Sequence, residues 1–329
     1  MLPLLSAGFA ALALTLYVLL DGFDLGVGIL LFFQPRQELR NHMVDAITPT
    51  WDGNETWLIL AGVTLLAAFP LAYGILMPAL YLPLIIMLLS LGLRGVSFEF
   101  RVQTILKRQF WDRVFAVGSL LAALAQGAVV GTLLQGVPLD GTQYAGGAFD
   151  FFSPLSGLTA AALATGYMIL GAGWLFLKGS DAVDKFARRS LQSLVPVFAL
   201  LCAASIAYGA ANVAELRDAV YDHRASLIGF GIAFFGSVAL VVPSMKHKSA
   251  AFPFLLAMTL FLIGIVAAVI VIFPNIVPFR LSIWDASSSR LSQIFLLIGA
   301  VVVTPVVIAN SLFAYWVFRG KTPPQGWES

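Results

Sequence analysis

The chain has 329 residues, 60% of them hydrophobic and 11% charged, and a mean hydropathy of +0.92. Soluble domains carry about 25% charged residues, so the composition excludes a soluble enzyme, a nucleic-acid-binding module and a disordered chain. It leaves a polytopic protein embedded in a lipid bilayer, read as one integral membrane domain over 1–329. The net charge of +2, from 19 Lys and Arg against 17 Asp and Glu, is no basic patch for nucleic acid.

A helix needs about 20 mostly apolar residues to cross the hydrocarbon core. The first such stretch, 4–33, lacks a positive leader and a small-residue cleavage site, so it reads as a retained helix rather than a signal peptide. It carries Asp21 and Asp24, three apart and therefore on one face. Gly22, Gly26 and Gly28 lie in the same stretch, and small residues let a neighbouring helix approach closely. The second stretch, 55–71, is preceded and opened by Trp51-Asp52-Gly53-Asn54-Glu55-Thr56-Trp57-Leu58. Phe69-Pro70 and Tyr73-Gly74 predict a tight hairpin into the third, 74–100, which ends in Arg94-Gly95-Val96-Ser97-Phe98-Glu99-Phe100-Arg101. The remaining spans are 113–135, 157–178, 192–213, 226–245, 250–274 and 291–318, which makes nine. A barrel is excluded because the apolar runs do not alternate. The loop 136–156, rich in Gly, Pro and Asp, is too short for a folded domain, and the tail after Arg319 is expected to fray. Cys202, the one cysteine, lies in an apolar run and reads as a small buried hydrophobe.

Basic residues give the orientation. With the amino terminus outside, the inward segments hold Arg36, Arg40, Arg101, Lys107, Arg108, Arg113, Lys178, Lys185, Arg188, Arg189, Lys246, Lys248, Arg319 and Lys321. The outward segments hold Arg217, Arg224, Arg280 and Arg290. Fourteen against four follows the positive-inside rule, with the carboxy terminus in the cytoplasm. Fusing the second and third spans into one helix would exchange the sides of all later loops and erase the bias.

In this arrangement Asp21, Asp24, Asp52, Glu55 and Glu99 gather near the cytoplasmic face, with Arg94 and Arg101 close by. Ionisable groups in spans are costly and are functional hypotheses by default. Such a cluster can pass protons between carboxylates, or it can pin helices through ion pairs. Each member also has a structural explanation. Asp52 and Asn54 suit a helix N-cap, and Glu55 suits the first-turn dipole. Asp21 and Asp24 suit pairing with Arg94 or capping a helix break, Glu99 suits snorkelling, and Trp51 and Trp57 suit interfacial aromatics. His42, His223 and His247 fall in or beside loops and read as solvated surface residues. Met87, Met168 and Met258 read as packing. No metal-binding or haem-attachment motif is present, so no redox centre is expected to be ligated by this chain.

The segments 21–28, 51–58 and 94–101, together with Gln135-Gly136-Val137-Pro138 and Trp284-Asp285-Ala286-Ser287-Ser288-Ser289, resemble subunit II of cytochrome bd-type quinol oxidases. The resemblance runs from residue 21 to residue 289. It implies an all-α fold of nine helices, built as two four-helix bundles plus one peripheral helix, in the bacterial cytoplasmic (inner) membrane. It implies pairing with a subunit I that carries the b-type and d-type haems and the quinol-oxidising site, in a complex that reduces dioxygen to water. Some members hold a structural quinone, and some complexes include small single-helix accessory subunits. By resemblance Asp52 matches the family's proton-route aspartate and Trp57 the tryptophan beside an oxygen path, with Glu55, Asp21, Asp24 and Glu99 as further proton-route candidates. Glu55-Thr56 stands where other members often have Gln-Val. Asn54, Arg94, Arg101, Trp51 and Asp285 are expected to be structural polar residues. The chain has no long insert, which fits the cyanide-insensitive branch. The alternative reading is a proton-coupled secondary transporter, with the acid cluster as its coupling site.

Overall fold

A computed structural model describes residues 1–103 and 107–323. The fold is helical. In chain order the helices are α1 (Leu2–Leu30), α2 (Gln37–Asp45), α3 (Trp51–Ala68), α4 (Pro70–Ala79), α5 (Tyr81–Gln103) and α6 (Arg108–Gln135). Then come α7 (Pro154–Lys178), α8 (Asp181–Asn212), α9 (Ala214–Asp222), α10 (Arg224–Ser244), α11 (Ala251–Ile272) and α12 (Arg290–Val317). The loop after α6 folds as a two-stranded antiparallel hairpin of β1 (Leu139–Asp140) and β2 (Gln143–Tyr144), with Leu139 opposite Tyr144. A second hairpin, β3 (Asn275–Val277) and β4 (Leu281–Ser282), joins α11 to α12, with Asn275 opposite Ser282 and an irregularity before Val277.

Among the described residues, eight helices are long and apolar enough to cross a membrane: α1, α5, α6, α7, α8, α10, α11 and α12. The chain is therefore a multi-pass membrane protein. The expected second span, α3, is not among the eight, because the polar residues of its first two turns (Asp52, Asn54, Glu55 and Thr56) offset the apolar remainder.

The region between the second and third expected spans differs from the sequence reading. In place of a tight hairpin at 69–74, the backbone breaks at Phe69 (φ −136°, ψ 59°) and at Leu80. Pro70, whose missing N–H costs nothing at the first helical position, starts the separate helix α4 between the breaks. The third span then begins at Tyr81, not at 74. Ala68, Phe69, Ala72, Ile75 and Ala79 form an apolar cluster with Val137, Val277, Ile283 and Ala286, so α4 plugs the space beneath the two hairpins. Ser288 N–H donates to Ala68 O at 2.8 Å and ties the end of α3 to the start of α12.

The core is organised around α1 and α7. α7 is the most enclosed span, and α1 touches α3, α6, α7, α11 and α12. From Asp21 to Leu31 every residue of the first segment is buried. Gly26 makes this possible. A Cβ there would collide with the Tyr167 carbonyl, and one at Gly171 would collide with Gly26 and Val27, so the backbones of α1 and α7 touch directly. α7 starts with a capping box, Ser153 accepting from Ser156 N–H and Ser156 Oγ accepting from Ser153 N–H. The tail is more ordered than expected up to Thr322. Thr322 N–H donates to Lys178 O at 2.9 Å, and Lys178 Nζ donates to Phe318 O at 2.6 Å. Residues 324–329 lie outside the described residues.

Candidate functional site

The site lies where the start of α3 meets the last turns of α5 and the buried half of α1, at the end of the bundle rich in Lys and Arg. Arg94 is its centre. Nη1 of Arg94 donates to Asp21 Oδ1 at 2.5 Å, and Nη2 donates to Glu55 Oε2 at 2.9 Å. Arg94 and Asp21 are fully buried, whereas the Glu55 side chain is 27% exposed. The guanidinium also lies 5.6 Å from the Trp51 ring centroid, and Trp51 stacks on Phe98 at 4.8 Å. A buried arginine holds its charge and has five donors in a rigid fork, so it can bind two carboxylates from different helices at once. α3 runs from this site to the cluster around Ala68 and Phe69, and α5 runs from Leu80 and Leu84 beside that cluster back to Arg94, so the two helices run in opposite directions.

Asp24 has a different partner. Its Oδ2 accepts from Asn54 Nδ2 at 2.8 Å, and Asn54 Oδ1 accepts from the Tyr315 hydroxyl of α12 at 2.9 Å. Deeper in the bundle, Tyr17 stands one turn before Asp21 on the same face of α1. Its hydroxyl accepts from Gln126 Nε2 at 2.7 Å, and Gln126 Oε1 accepts from the Tyr167 hydroxyl at 2.7 Å. Tyr17, Gln126 and Tyr167 are buried on α1, α6 and α7. A polar line thus runs from the surface at Asp52, through Glu55 and Arg94 to Asp21, and on toward Tyr17, Gln126 and Tyr167.

The structure divides the five acids of the sequence reading. Asp21, Asp24 and Glu55 converge. Asp52 is exposed, one turn before Glu55 on α3, and Glu99 is exposed on α5 away from Arg94. Thr50, not Asp52 or Asn54, is the N-cap of α3, and no side chain caps that end; Asn54 lies inside the first turn and faces Asp24. Helix α1 runs unbroken past Asp21 and Asp24, so neither caps a break.

Arg101 belongs to a second network. It donates through Nε to Asp112 Oδ1 at 2.7 Å and through Nη2 to Asn41 Oδ1 at 2.6 Å. Gln37 Nε2 donates to Asp112 Oδ2 at 2.6 Å. This clasp fixes α2 to the ends of α5 and α6. Next to Asn41, His42 is buried rather than solvated, and burial lowers its pKa below the ordinary histidine value. Trp57 is 1% exposed and packs with Ala13 and Tyr17, so it is a core residue and not an interfacial one. Asp285 is exposed at the opposite end and accepts from Ser282 Oγ at 2.5 Å. Among the described residues no three His, Cys, Asp or Glu side chains come together to hold a metal ion.

The sequence reading missed Tyr17, Gln126, Tyr167, Tyr315 and Asp112. Gln126 carried a signal, being a lone amide within an apolar span, where a polar group must find a partner. The tyrosines carried none, since aromatic residues are ordinary in spans.

The chain matches the cytochrome bd terminal oxidase subunit II family over residues 2–318. It belongs to that family. Subunit 2 of the cytochrome bd-I ubiquinol oxidase of Escherichia coli K12 is 30% identical, with 93% of this chain and 91% of that protein covered. Subunit 2 of the cytochrome bd ubiquinol oxidase of Bacillus subtilis is 29% identical, with 93% and 92% covered. In structure the chain is similar to the bd oxidase from Geobacillus thermodenitrificans, with a TM-score of 0.78 at 18% identity, covering 96% of this chain and 98% of that one. As a subunit II, the chain is a membrane-spanning part of a respiratory oxidoreductase, and its partner is a subunit I.

Proposed function

We propose that this subunit II supplies protons from the cytoplasm to a quinol:dioxygen oxidoreductase whose haems, b-type and d-type, all sit in subunit I. The observation that carries the reading is the line from exposed Asp52 through partly exposed Glu55 to the fully buried pair of Arg94 and Asp21. A carboxylate at the surface collects protons, and a second one a helical turn inward passes them on, because Asp and Glu alternately hold and release them. Arg94 keeps the carboxylates of α1 and α3 at fixed positions without consuming a proton. Asp24, bonded to a neutral amide rather than to a cation, is the interior carboxylate suited to change its charge. Glu99, exposed and apart from this line, serves the route at most as an antenna at the surface.

In this reading the quinol is oxidised in subunit I, and no electron passes through side chains of this chain. That is consistent with the positions of the histidines: His42 on α2, His223 between α9 and α10, and His247 after α10, all outside the spans. Trp57, packed among apolar residues on α3, borders the path by which dioxygen reaches the partner. The nine-span architecture, as two four-helix bundles and a peripheral helix, takes α3 as the ninth crossing. The opposite directions of α3 and α5 support this. A structural quinone and small single-helix subunits fit the exposed apolar faces of α10 and α12.

The test is Asp52→Asn in the purified complex. Turnover is expected to fall by about tenfold or more, with subunit I retained and the reduced-minus-oxidised haem spectrum unchanged. A variant that assembles with full haem content and runs at the wild-type rate removes Asp52 from the route. The same spectrum separates the oxidase from the transporter reading, since a lone, colourless chain would favour the transporter.

A further inference from the structure

Asn54 is held from two sides, between α1 and α12. Its Nδ2 donates to Asp24 Oδ2 at 2.8 Å and reaches Leu20 O at 3.4 Å, while its Oδ1 accepts from Tyr315 at 2.9 Å. A primary amide donates from one side and accepts on the other, so the partner opposite Asp24 must be able to match whichever side it meets. With Asp24 as a carboxylate, the amide gives it an N–H and turns its oxygen to Tyr315, which donates. With Asp24 protonated on Oδ2, its O–H donates to the amide oxygen, and the N–H group then needs an acceptor on the far side. A hydroxyl is both donor and acceptor and satisfies either arrangement; a backbone N–H or a cation would satisfy only one.

The Tyr315 ring is itself fixed. It meets Trp174 edge-on at 6.0 Å, and Trp174 Nε1 donates to Ala46 O at 3.0 Å. The end of α12 just beyond Tyr315 is pinned to α7 by the Lys178–Phe318 and Thr322–Lys178 hydrogen bonds. The position of the hydroxyl is thereby set by α12 itself, by α7 and by the segment that follows α2.

We propose that Tyr315 is a positioning residue that, acting through Asn54, lets buried Asp24 take up and release a proton at Oδ2 while the amide keeps a partner on both sides. The step is proton transfer alone: Asp24 carboxylate gains a proton and an O–H bond, the Asn54 amide turns over, and the tyrosine hydroxyl accepts from the amide while its own O–H turns to Thr50. The proposal rests on the proton-route reading for its purpose, but its test is separate.

The experiment is infrared difference spectroscopy on the whole oxidase complex, comparing high and low pH. The protonated-carboxyl band lost in Asp24→Asn identifies Asp24. In Tyr315→Phe that band is expected to move or split, and turnover to fall about fivefold, with the haem spectrum unchanged. Asn54→Ala is expected to move the same band, and Tyr315→Phe to add no further displacement in the Asn54→Ala background. An unmoved band in Tyr315→Phe overturns the proposal, as does the absence of any band lost in Asp24→Asn. Should Tyr315→Phe fail to assemble, Asn54→Ala carries the test, and an unmoved band there overturns it equally. If the band moves in Tyr315→Phe while Asp24→Asn turns over at the wild-type rate, positioning stands and Asp24 is outside the route.

Discussion

Arg94 makes two ion pairs within a site where Asp21 has no exposure at all. Removing one partner of a buried pair leaves the other charge uncompensated and costs about 3–5 kcal/mol, while replacing both by apolar groups is close to neutral. Arg94→Met is therefore expected to lose assembly or to lower the melting temperature of the complex sharply. The double variant Arg94→Met/Asp21→Leu should recover most of that loss, even though the proton route is gone. Equal melting temperatures for the single and double variants would mean that the pair contributes nothing as a pair. The acids at this site were legible in the sequence because charged residues stand out in apolar spans. Their partition was not. Nothing in the spacing of Arg94 and Arg101, seven apart on α5, tells that the first turns inward to Asp21 and Glu55 while the second joins Asp112. The same holds for Asn54, where one residue suits a cap and an inward contact equally well, and tertiary packing decides.

At the scale of helices, the contact between α1 and α7 has the least tolerance. Gly26 lies against the Tyr167 carbonyl, and that oxygen belongs to backbone, which cannot turn aside as a side chain can. Gly229 on α10 has nothing within 4 Å of where a Cβ would sit. Overpacking costs about 1–3 kcal/mol even where neighbours can shift. Gly26→Ala is therefore expected to cut the yield of assembled, detergent-stable complex several-fold, and Gly229→Ala to leave it within error. Comparable yields for the two variants would show that α1 and α7 can separate without loss. The glycine stripe of α1 announced a close neighbour but not which one, since α3, α6, α7 and α12 all pass near it. Helix α4 was hidden for another reason. Pro70 and Gly74 read as turn residues, yet proline also starts helices, and Leu80 carries no mark of a break. The small hairpins β1–β2 and β3–β4 are too short to give a periodic signal.

For the whole molecule the open question is which side of the membrane each end faces. The Arg94–Glu55 contact at one end and the cluster of Ala68 and Phe69 with Leu80 and Leu84 at the other set α3 and α5 in opposite directions. If α3 crosses, the amino terminus and the loop 136–156 face one side, and α2, the start of α8 and the end of α12 face the other. That second side carries fourteen of the nineteen Lys and Arg, which places it in the cytoplasm by the positive-inside rule. A single crossing by 51–103 would scatter the same charges over both sides. Impermeant thiol labelling distinguishes the two. Cys202, half-buried in α8, is first replaced by serine, and one cysteine is then returned at an exposed position, Thr142→Cys in the first hairpin or Lys248→Cys between α10 and α11. In intact spheroplasts, label is expected at position 142 and absent at 248, and lysis should expose 248. With nine crossings, labelling of 248 before lysis would put Asp52 and Glu55 on the periplasmic side. The carboxylates would then open toward the wrong proton pool, and the route from the cytoplasm would have to lie elsewhere.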